Sequence, residues 1–332
     1  MYRNKKEKRM RRCWLPLGMT CLMWLMCMGA RAQREFLVME WNVENLFDTR
    51  HDEGCNDQDF TPEGSYHWTR TRYWRKLDEI GKTIIDASDT LGLPAIIGLC
   101  EVENDSVMTD LTQRSVLRTA GYRYVMTDSP DHRGIDVALL YHPELFRLHD
   151  HHSIRIPATQ QGLSPTRDIL YATGTTLEAD TLHIIVCHFP SKTGGVKNSG
   201  SLRKLATSTL RSVIDSVFAL SPNARLLVMG DFNATPREAL FKRLVPPLCE
   251  TLPTSRKELN KPIGTYYFQN LWSYLDHILV SPALETGGGA YEIRLPHLLE
   301  HDGRPKRTFK GPSYNGGVSD HLPLCLKVKS GK

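Results

Sequence analysis

Nine short runs rich in β-branched and aromatic residues, each bounded by turn formers, punctuate this 332-residue chain and leave room for only a few helical periods. They lie at 36–41, 95–101, 123–126, 136–141, 169–174, 182–188, 224–230, 274–280 and 321–328. Helical periodicity is confined to three stretches. From Trp74, the residues Leu77, Ile80, Ile84 and Leu91 return at three-, four- and seven-residue steps, and 202–220 and 238–244 read similarly. Strands and helices in this irregular order do not make a βαβ alternation; they call for an α+β fold, two packed sheets with helices outside. No repeat, low-complexity tract or Pro/Ser linker divides the chain after its first residues. A domain of about 300 residues buries enough surface to fold without staples, so any metal it binds serves chemistry.

The chain opens on a segment of a different kind. Residues 1–12 carry seven Lys and Arg against one Glu, an apolar stretch runs over 15–29, and Ala30-Arg31-Ala32 places small residues where a signal peptidase reads. A basic end, a short apolar core and an A-x-A site describe a secretory signal peptide. Pro16 and Gly18 interrupt the apolar run, which falls short of the roughly 20 residues a spanning helix needs. The expectation is a signal peptide at 1–32, a domain at 33–332, export to the periplasm or medium, and no transmembrane anchor after cleavage. Eight positive charges and one negative leave with the segment, so the whole-chain charge of +5 becomes about −2. That excludes a broadly basic body built to grip polyanions over its whole surface. Of eight cysteines, Cys55, Cys100, Cys187, Cys249 and Cys325 remain, with no C-x-x-C spacing. Neither a zinc site nor a disulfide framework is expected.

Function is carried by where the polar residues fall. Asn42 follows the first run, Glu101 ends the second, His188 ends the sixth, and Asp231 and Asn233 close the seventh. Asp276 stands early in the eighth, and Ser319-Asp320-His321 leads into the ninth. Polar groups gathered at strand ends line one rim of a sandwich, where distant sequence positions converge on a pocket. Asp231 and Asn233 are two residues apart, so an extended backbone would point both to the same side. His277 should face away from its neighbour Asp276 and is assigned no role.

In chain order, Trp41-Asn42-Val43-Glu44-Asn45, Gly98-Leu99-Cys100-Glu101-Val102, His188-Phe189-Pro190-Ser191, Gly230-Asp231-Phe232-Asn233, Tyr274-Leu275-Asp276-His277-Ile278 and Ser319-Asp320-His321-Leu322-Pro323 form an ordered set. The set resembles the motifs of the endonuclease/exonuclease/phosphatase superfamily, metal-dependent phosphoesterases that include deoxyribonucleases, apurinic endonucleases, inositol polyphosphate phosphatases and bacterial sphingomyelinases. The resemblance spans residues 36–328 and implies a four-layer αββα sandwich with two packed mixed β-sheets. It implies a divalent metal, Mg²⁺ or Mn²⁺ with Ca²⁺ as a further option, held by Glu101 with Asn42 beside it. Asp320 would complete the shell or orient the neighbouring histidine. Asp231 is cast as the residue that orients or deprotonates water, and Asn233 as a donor to the transition state. His321 is cast as the imidazole at the scissile phosphate, Asp276 as its partner, and His188 as a second phosphate-contacting histidine.

These roles suit the reaction. Hydrolysing a phosphate ester needs charge neutralised on the phosphoryl oxygens, a water deprotonated in line and a leaving oxygen stabilised. A carboxylate such as Glu101 is the hard oxygen ligand that Mg²⁺ prefers. A buried carboxylate beside His321 would raise its pKa and fix its tautomer. Arg133, Arg167, Lys192 and Arg203 stand near the motifs as candidates for holding substrate phosphates, contacts that position without reading sequence. The stretch 66–76 interleaves aromatic and basic residues as a nucleic-acid surface would, although Trp74 also belongs to a helix's apolar face. The loop 305–318, with Lys306, Arg307 and Lys310, leads into the last motif and could flank the pocket.

The resulting expectation is a secreted, monomeric endonuclease that hydrolyses phosphodiester bonds of nucleic acid and has no stable protein partner. The alternative keeps fold and metal but acts on a phospholipid headgroup or a small phosphoester. Against its inositol phosphatase branch, Trp272-Ser273-Tyr274-Leu275 lacks the Pro-x-Trp-Cys-Asp-Arg pattern. Against its sphingomyelinase branch, no exposed aromatic hairpin for membrane insertion is evident. A non-catalytic surface binding protein would have lost at least one of Glu101, Asp231, Asn233, Asp276 and His321, and all five are present.

Overall fold

Side-chain alternation decides what each strand of this chain can pack against. The computed structural model describes residues 34–192, 196–252 and 264–331, so the expected signal segment lies outside the described residues. Its elements run β1 (Arg34–Leu46), α1 (Arg70–Asp86), β2 (Ile96–Val102), α2 (Asp105–Thr109), β3 (Arg123–Met126), β4 (Asp136–Tyr141), β5 (Phe146–Ile154), β6 (Ile169–Thr176) and β7 (Thr181–His188). They continue α3 (Val196–Leu220), β8 (Arg225–Asp231), α4 (Phe241–Leu244), β9 (Cys249–Glu250), β10 (Tyr266–Phe268), β11 (Leu271–Ser273) and β12 (Asp276–Val280). The last are β13 (Tyr291–Glu292), β14 (Phe309–Lys310), β15 (Ser313–Tyr314) and β16 (Leu324–Ser330).

Two six-stranded sheets result, in the orders β13-β16-β1-β2-β4-β3 and β5-β6-β7-β8-β12-β9. Both follow one plan. Each is antiparallel except for a single parallel pair at its centre, β1 with β2 and β7 with β8. The C-terminal ends of a parallel pair share one edge of the sheet. Antiparallel neighbours start at that edge, so Asp276 at the start of β12 lies opposite Asp231 at the end of β8, and β16 runs back along β1.

The faces sort as alternation requires. Val38, Leu227, Met229, Ile184, Val186, Ile278 and Leu326 meet between the sheets. Leu37, Met39 and Trp41 point the other way, onto Leu77, Ile80 and Ile84 of α1. Leu226, Val228 and Leu279 pack on Ala206, Leu210 and Ile214 of α3. The four layers are therefore helix, sheet, sheet, helix, the α+β sandwich expected from the sequence. The five cysteines of the described residues are all free. Among the described residues no helix is long and apolar enough to cross a membrane.

Three features depart from the sequence reading. Strand β5 was not foreseen: its Leu-His-Asp-His-His-Ser run lacks apolar alternation because it is an edge strand, exposed and bulged between Leu148 and Asp150. The aromatic and basic stretch 66–76 folds inward. Trp68 and Lys76 are buried, Tyr66 and Trp68 join Phe47, Phe60 and Phe309 in an aromatic cluster, and Arg72 donates to the Tyr66 and His67 carbonyls. Core packing, not a nucleic-acid surface, explains most of that pattern. Third, an exposed aromatic hairpin does exist. β10 and β11 pair across a two-residue turn, Gln269-Asn270, whose positive φ angles of 47° and 65° suit a tight hairpin turn, and Phe268 and Leu271 stand exposed at its tip.

Glycine is required at one point of the central pair. Gly230 has φ +146°, and a Cβ there would lie 1.8 Å from the Cys187 carbonyl oxygen on β7. Gly303 is also left-handed, at φ +81°, but an added Cβ meets nothing within 4 Å. Gly230→Ala is therefore expected to lower unfolding free energy by at least about 3 kcal/mol, through strain plus a displaced β7–β8 pair, and Gly303→Ala by about 1 kcal/mol. Urea unfolding of both variants checks the contrast.

Candidate functional site

Inward-facing parity on β1, β7, β8 and β12 brings Asn42, His188, Asp231 and Asp276 to one rim between the sheets, in step with the apolar residues at Val38, Ile184, Leu227 and Ile278. Asn42 Nδ2 donates to Asp231 Oδ2 at 3.0 Å, a direct bond from one sheet to the other. Asn42 Oδ1 in turn accepts the Glu44 amide at 2.9 Å.

Glu101 reaches the same rim by a different route. Its parity on β2 matches Ile97 and Leu99, which face α1, but the register with β4 shifts between Cys100 and Val102 and Glu101 adopts φ +65°. This left-handed kink redirects the side chain. Glu101 Oε2 accepts the Asn45 amide at 2.8 Å and lies 3.3 Å from Arg133 Nη2. Burial pushes its carboxyl up, but Arg133 first, with the Asn45 amide and His321, outweighs burial and holds it at about 2. His188 is itself driven well below the ordinary imidazole value, by burial and then by Arg167. It is therefore neutral, and Arg133 is the main cation that keeps Glu101 ionised.

Opposite Glu101 stands a carboxylate–imidazole–carboxylate group. His321 Nδ1 is 2.7 Å from Asp276 Oδ2, and His321 Nε2 is 3.9 Å from Asp231 Oδ2. Burial alone would lower the imidazole value; Asp276, then Asp231 and Asp320, reverse this and raise it well above 6.5. Asp231 is raised to about 7, by burial first and Asp276 second, against the opposing effects of His321, the Asn233 amide and Asn42. A carboxyl with that value is poised near neutral pH to take a proton from water. His188 Nε2 lies 3.6 Å from Asp231 Oδ2 and 3.9 Å from Glu101 Oε1, between the two halves of the site.

Asn233 is placed by a turn and not by an extended strand. It has φ +48°, its amide donates to Asp231 Oδ1 at 2.7 Å, and its Nδ2 donates to the Phe189 carbonyl at 3.0 Å. The expectation that strand alternation aligns Asp231 and Asn233 is corrected accordingly: β8 ends at Asp231. His277 faces away, as expected, onto Glu250 and the Ala234 carbonyl.

The four basic candidates separate. Arg133 touches Glu101. Arg167 is buried and donates to Asp131 Oδ2 and the Phe189 carbonyl, both at 3.0 Å. Arg203 is buried and donates to the Asn233 carbonyl at 2.6 Å, the Pro190 carbonyl at 3.3 Å and Glu238. Lys192 is exposed and paired with the same Glu238 at 2.8 Å. Arg167 and Arg203 thus tie down the two motif loops.

Three contributors escaped the sequence reading. Glu44, at φ +49°, is buried beside Asp320; Arg307 bridges the two carboxylates, and the Thr308 amide donates to Glu44 Oε2 at 2.7 Å. Its carboxyl is raised to about 7, by burial and then by Asp320. Lys76 is buried beneath it, donates to the Glu44 carbonyl and to Thr308 Oγ1, and is lowered by burial to about 8. Tyr266, on β10, packs against His321 with ring centroids 4.7 Å apart and the planes tilted by 35°. Glu44 lies inside a motif that was read but was passed over. Lys76 and Tyr266 carry no local signal that separates them from core residues.

The donor set fits a divalent cation. Glu101 is an ionised hard ligand on the rim that Asn42 shares, whereas the Glu44 and Asp320 carboxylates are engaged by Arg307. Asp231, Asp276 and His321 also bring one ligand atom each within 4.8 Å of one another, a possible acidic and histidine metal site. There, however, His321 Nδ1 is committed to Asp276 and the ring carries charge, so the Glu101 side suits a cation better.

A family model described as endonuclease/exonuclease/phosphatase family matches residues 37–330. Among solved structures, the human nocturnin catalytic domain with bound sulfate is 21% identical, with TM-score 0.60 over 90% of this chain and 96% of that one. A mannosyl-6-phosphatase of Bacteroides thetaiotaomicron is 14% identical, with TM-score 0.57 over 88% and 99%. D. rerio TDP2 complexed with single-strand DNA product is 15% identical, with TM-score 0.55 over 89% and 99%. These likenesses concern the fold. A search of curated proteins finds no match.

The His321–Asp276 pair sets a pH signature. Because His321 is raised above 6.5, the pair contributes stability fully present below pH 6.5 and lost as pH rises through the raised value. In metal-free Asp276→Asn the partner that raises His321 most is gone, so the imidazole should titrate lower than in the parent and the alkaline loss should shrink. Imidazole NMR titration, with urea unfolding at several pH values, checks both.

Proposed function

The chain belongs to the endonuclease/exonuclease/phosphatase family, and from that premise we propose that it is a divalent-metal-dependent phosphodiesterase, an exported endonuclease acting on nucleic acid. The observation that carries this reading is the opposition across one rim of ionised Glu101 to the Asp231–His321–Asp276 group. Glu101, with Asn42 on the same rim, would hold Mg²⁺ or Mn²⁺, and Asp320 could join only by leaving Arg307; the bound ion would neutralise charge on the phosphoryl oxygens.

The remaining work falls to side chains. Asp231, near 7 and held by Asn42 and the Asn233 amide, orients a water and takes its proton. Charged His321, its ring fixed by Asp276, donates from Nε2 to a phosphoryl or leaving oxygen. Neutral His188 sits between, able to donate to another phosphoryl oxygen. Asn233 adds an amide donor beside it. The basic, apolar and Ala-x-Ala pattern of 1–32 supports export, and nothing in the proposed chemistry requires a second subunit.

One observation favours a second reading. Arg167, Arg203 and Lys192 already face Asp131 and Glu238, so the positive charge left for a long polyanion is modest, which suits a small phosphoester or a lipid headgroup.

A panel of plasmid DNA, RNA, bis-p-nitrophenyl phosphate, mannose 6-phosphate and sphingomyelin, with Mg²⁺ or Mn²⁺ and with EDTA, separates the two. Cleavage of DNA or RNA that EDTA abolishes is the expected result; cleavage confined to lipid or monoester overturns the nuclease reading. Glu101→Ala and His321→Ala should each lower turnover by at least about 10³-fold, with folding preserved by circular dichroism.

A further inference from the structure

The β10–β11 hairpin meets the catalytic rim at its base and solvent at its tip. Tyr266 bridges His321 through the main chain and packs against its ring at a tilt of 35°, and the Leu322 amide donates to the Thr265 carbonyl at 2.8 Å. Tyr266 faces Ser273 and Phe268 faces Leu271, while Tyr267 faces Trp272. Alternation therefore puts Tyr266, Phe268, Leu271 and Ser273 on one face and Tyr267 and Trp272 on the other. The second face is occupied: Arg304 lies over Tyr267 and Arg294 over Trp272, with the guanidinium carbons 5.3 and 4.6 Å from the ring centroids. The first face is a strip of rings that starts on His321 and ends at exposed Phe268, 55% accessible, and Leu271, 69%. The Tyr266 and Phe268 rings lie 6.3 Å apart at 22°. A cavity of about 220 Å³ lies instead on the Tyr267 side of the hairpin, lined by Tyr267, Phe268, the Gln269-Asn270 turn, Arg304 and Asp320.

We propose that this strip is a base-stacking platform, and that the substrate is single-stranded or frayed nucleic acid whose nucleotide next to the scissile phosphate lays its base on Phe268. This rests on the nuclease reading above and narrows it. A flat ring joined to a phosphate held at His321 must leave the rim along one wall, and the hairpin supplies a wall with an aromatic face. The side-chain amides of Gln269 and Asn270 in the turn offer donors and acceptors that match base edges. A closed duplex keeps its bases stacked on one another and offers none to such a platform. The near-neutral body is consistent with a local grip on a few nucleotides instead of a long electrostatic track. A lipid surface would also meet an exposed Phe and Leu, but it needs no ring strip reaching inward to the catalytic histidine.

The test uses the mature protein and a single-stranded oligonucleotide whose preferred cleavage position has been mapped, together with the same strand abasic at the flanking nucleotide. Phe268→Ala should lower kcat/KM on the intact strand by about 5- to 150-fold, chiefly through KM, leave the abasic strand unchanged, and be rescued by Phe268→Trp. Its exposure predicts an unaltered melting temperature. Equal loss on both strands, or no loss on either, overturns the platform. So does loss of sedimentation with sphingomyelin-containing vesicles while oligonucleotide cleavage stays intact, which would make the tip a membrane contact. If the unmodified enzyme cleaves mannose 6-phosphate or bis-p-nitrophenyl phosphate but no oligonucleotide, the nuclease reading itself fails, and the platform with it.

Discussion

The bond from Asn42 to Asp231 is the joint on which the site depends. It links the last inward position of β1 to that of β8, the inner strands of two different sheets, at 3.0 Å. Both residues reach it only because each sheet places a parallel pair at its centre and the two sheets present the same edge. With the joint made, Glu101 and Arg133 belong to one side and Asp276 and His321 to the other. Charges that would repel or cancel if scattered are held as an ordered row: a carboxylate near 2, a neutral imidazole, a carboxyl near 7 and a charged imidazole.

That row depends as much on desolvation as on partners. Burial acts on every member, yet the outcomes differ in sign because each has different company. Glu101 has Arg133, while Asp231 has Asp276. Strain contributes too: Glu44, Asn45, Glu101 and Asn233 all adopt φ between 48° and 65°, at the points where strands β1, β2 and β8 lose their regular register or end. Such conformations cost of order 1 kcal/mol or more each and persist where surrounding contacts over-determine them. Here Lys76, Arg307 and Arg203 supply those contacts from outside the motifs.

Much of the fold was legible because the central strands alternate cleanly between a helix-covered face and a sheet-covered face. Strands 123–126 and 136–141 match residue for residue, whereas β5 lies on an edge where burial never imposed a pattern. In the site, residues in short motifs at strand ends could be picked out one by one. What stayed hidden was side-chain direction where the backbone turns left-handed, as at Asn233, and support from afar, as with Lys76 under Glu44. The interleaved stretch 66–76 was legible only in part for a related reason: its helical period placed Trp74 on a packed face, but composition does not show which of the other residues become interior.

The pairing of β1 with β16 joins residues almost three hundred positions apart, and it also seats His321 against Trp41, whose indole donates to the His321 carbonyl at 3.0 Å. Among the described residues the first and last strands are partners, so the rim is not assembled until β16 is in place. A nascent or partly threaded chain can form β-hairpins and even one parallel pair, but it holds His321 nowhere near Asp231. Chemistry is thereby deferred until β16 has paired with β1, a timing built into strand order alone.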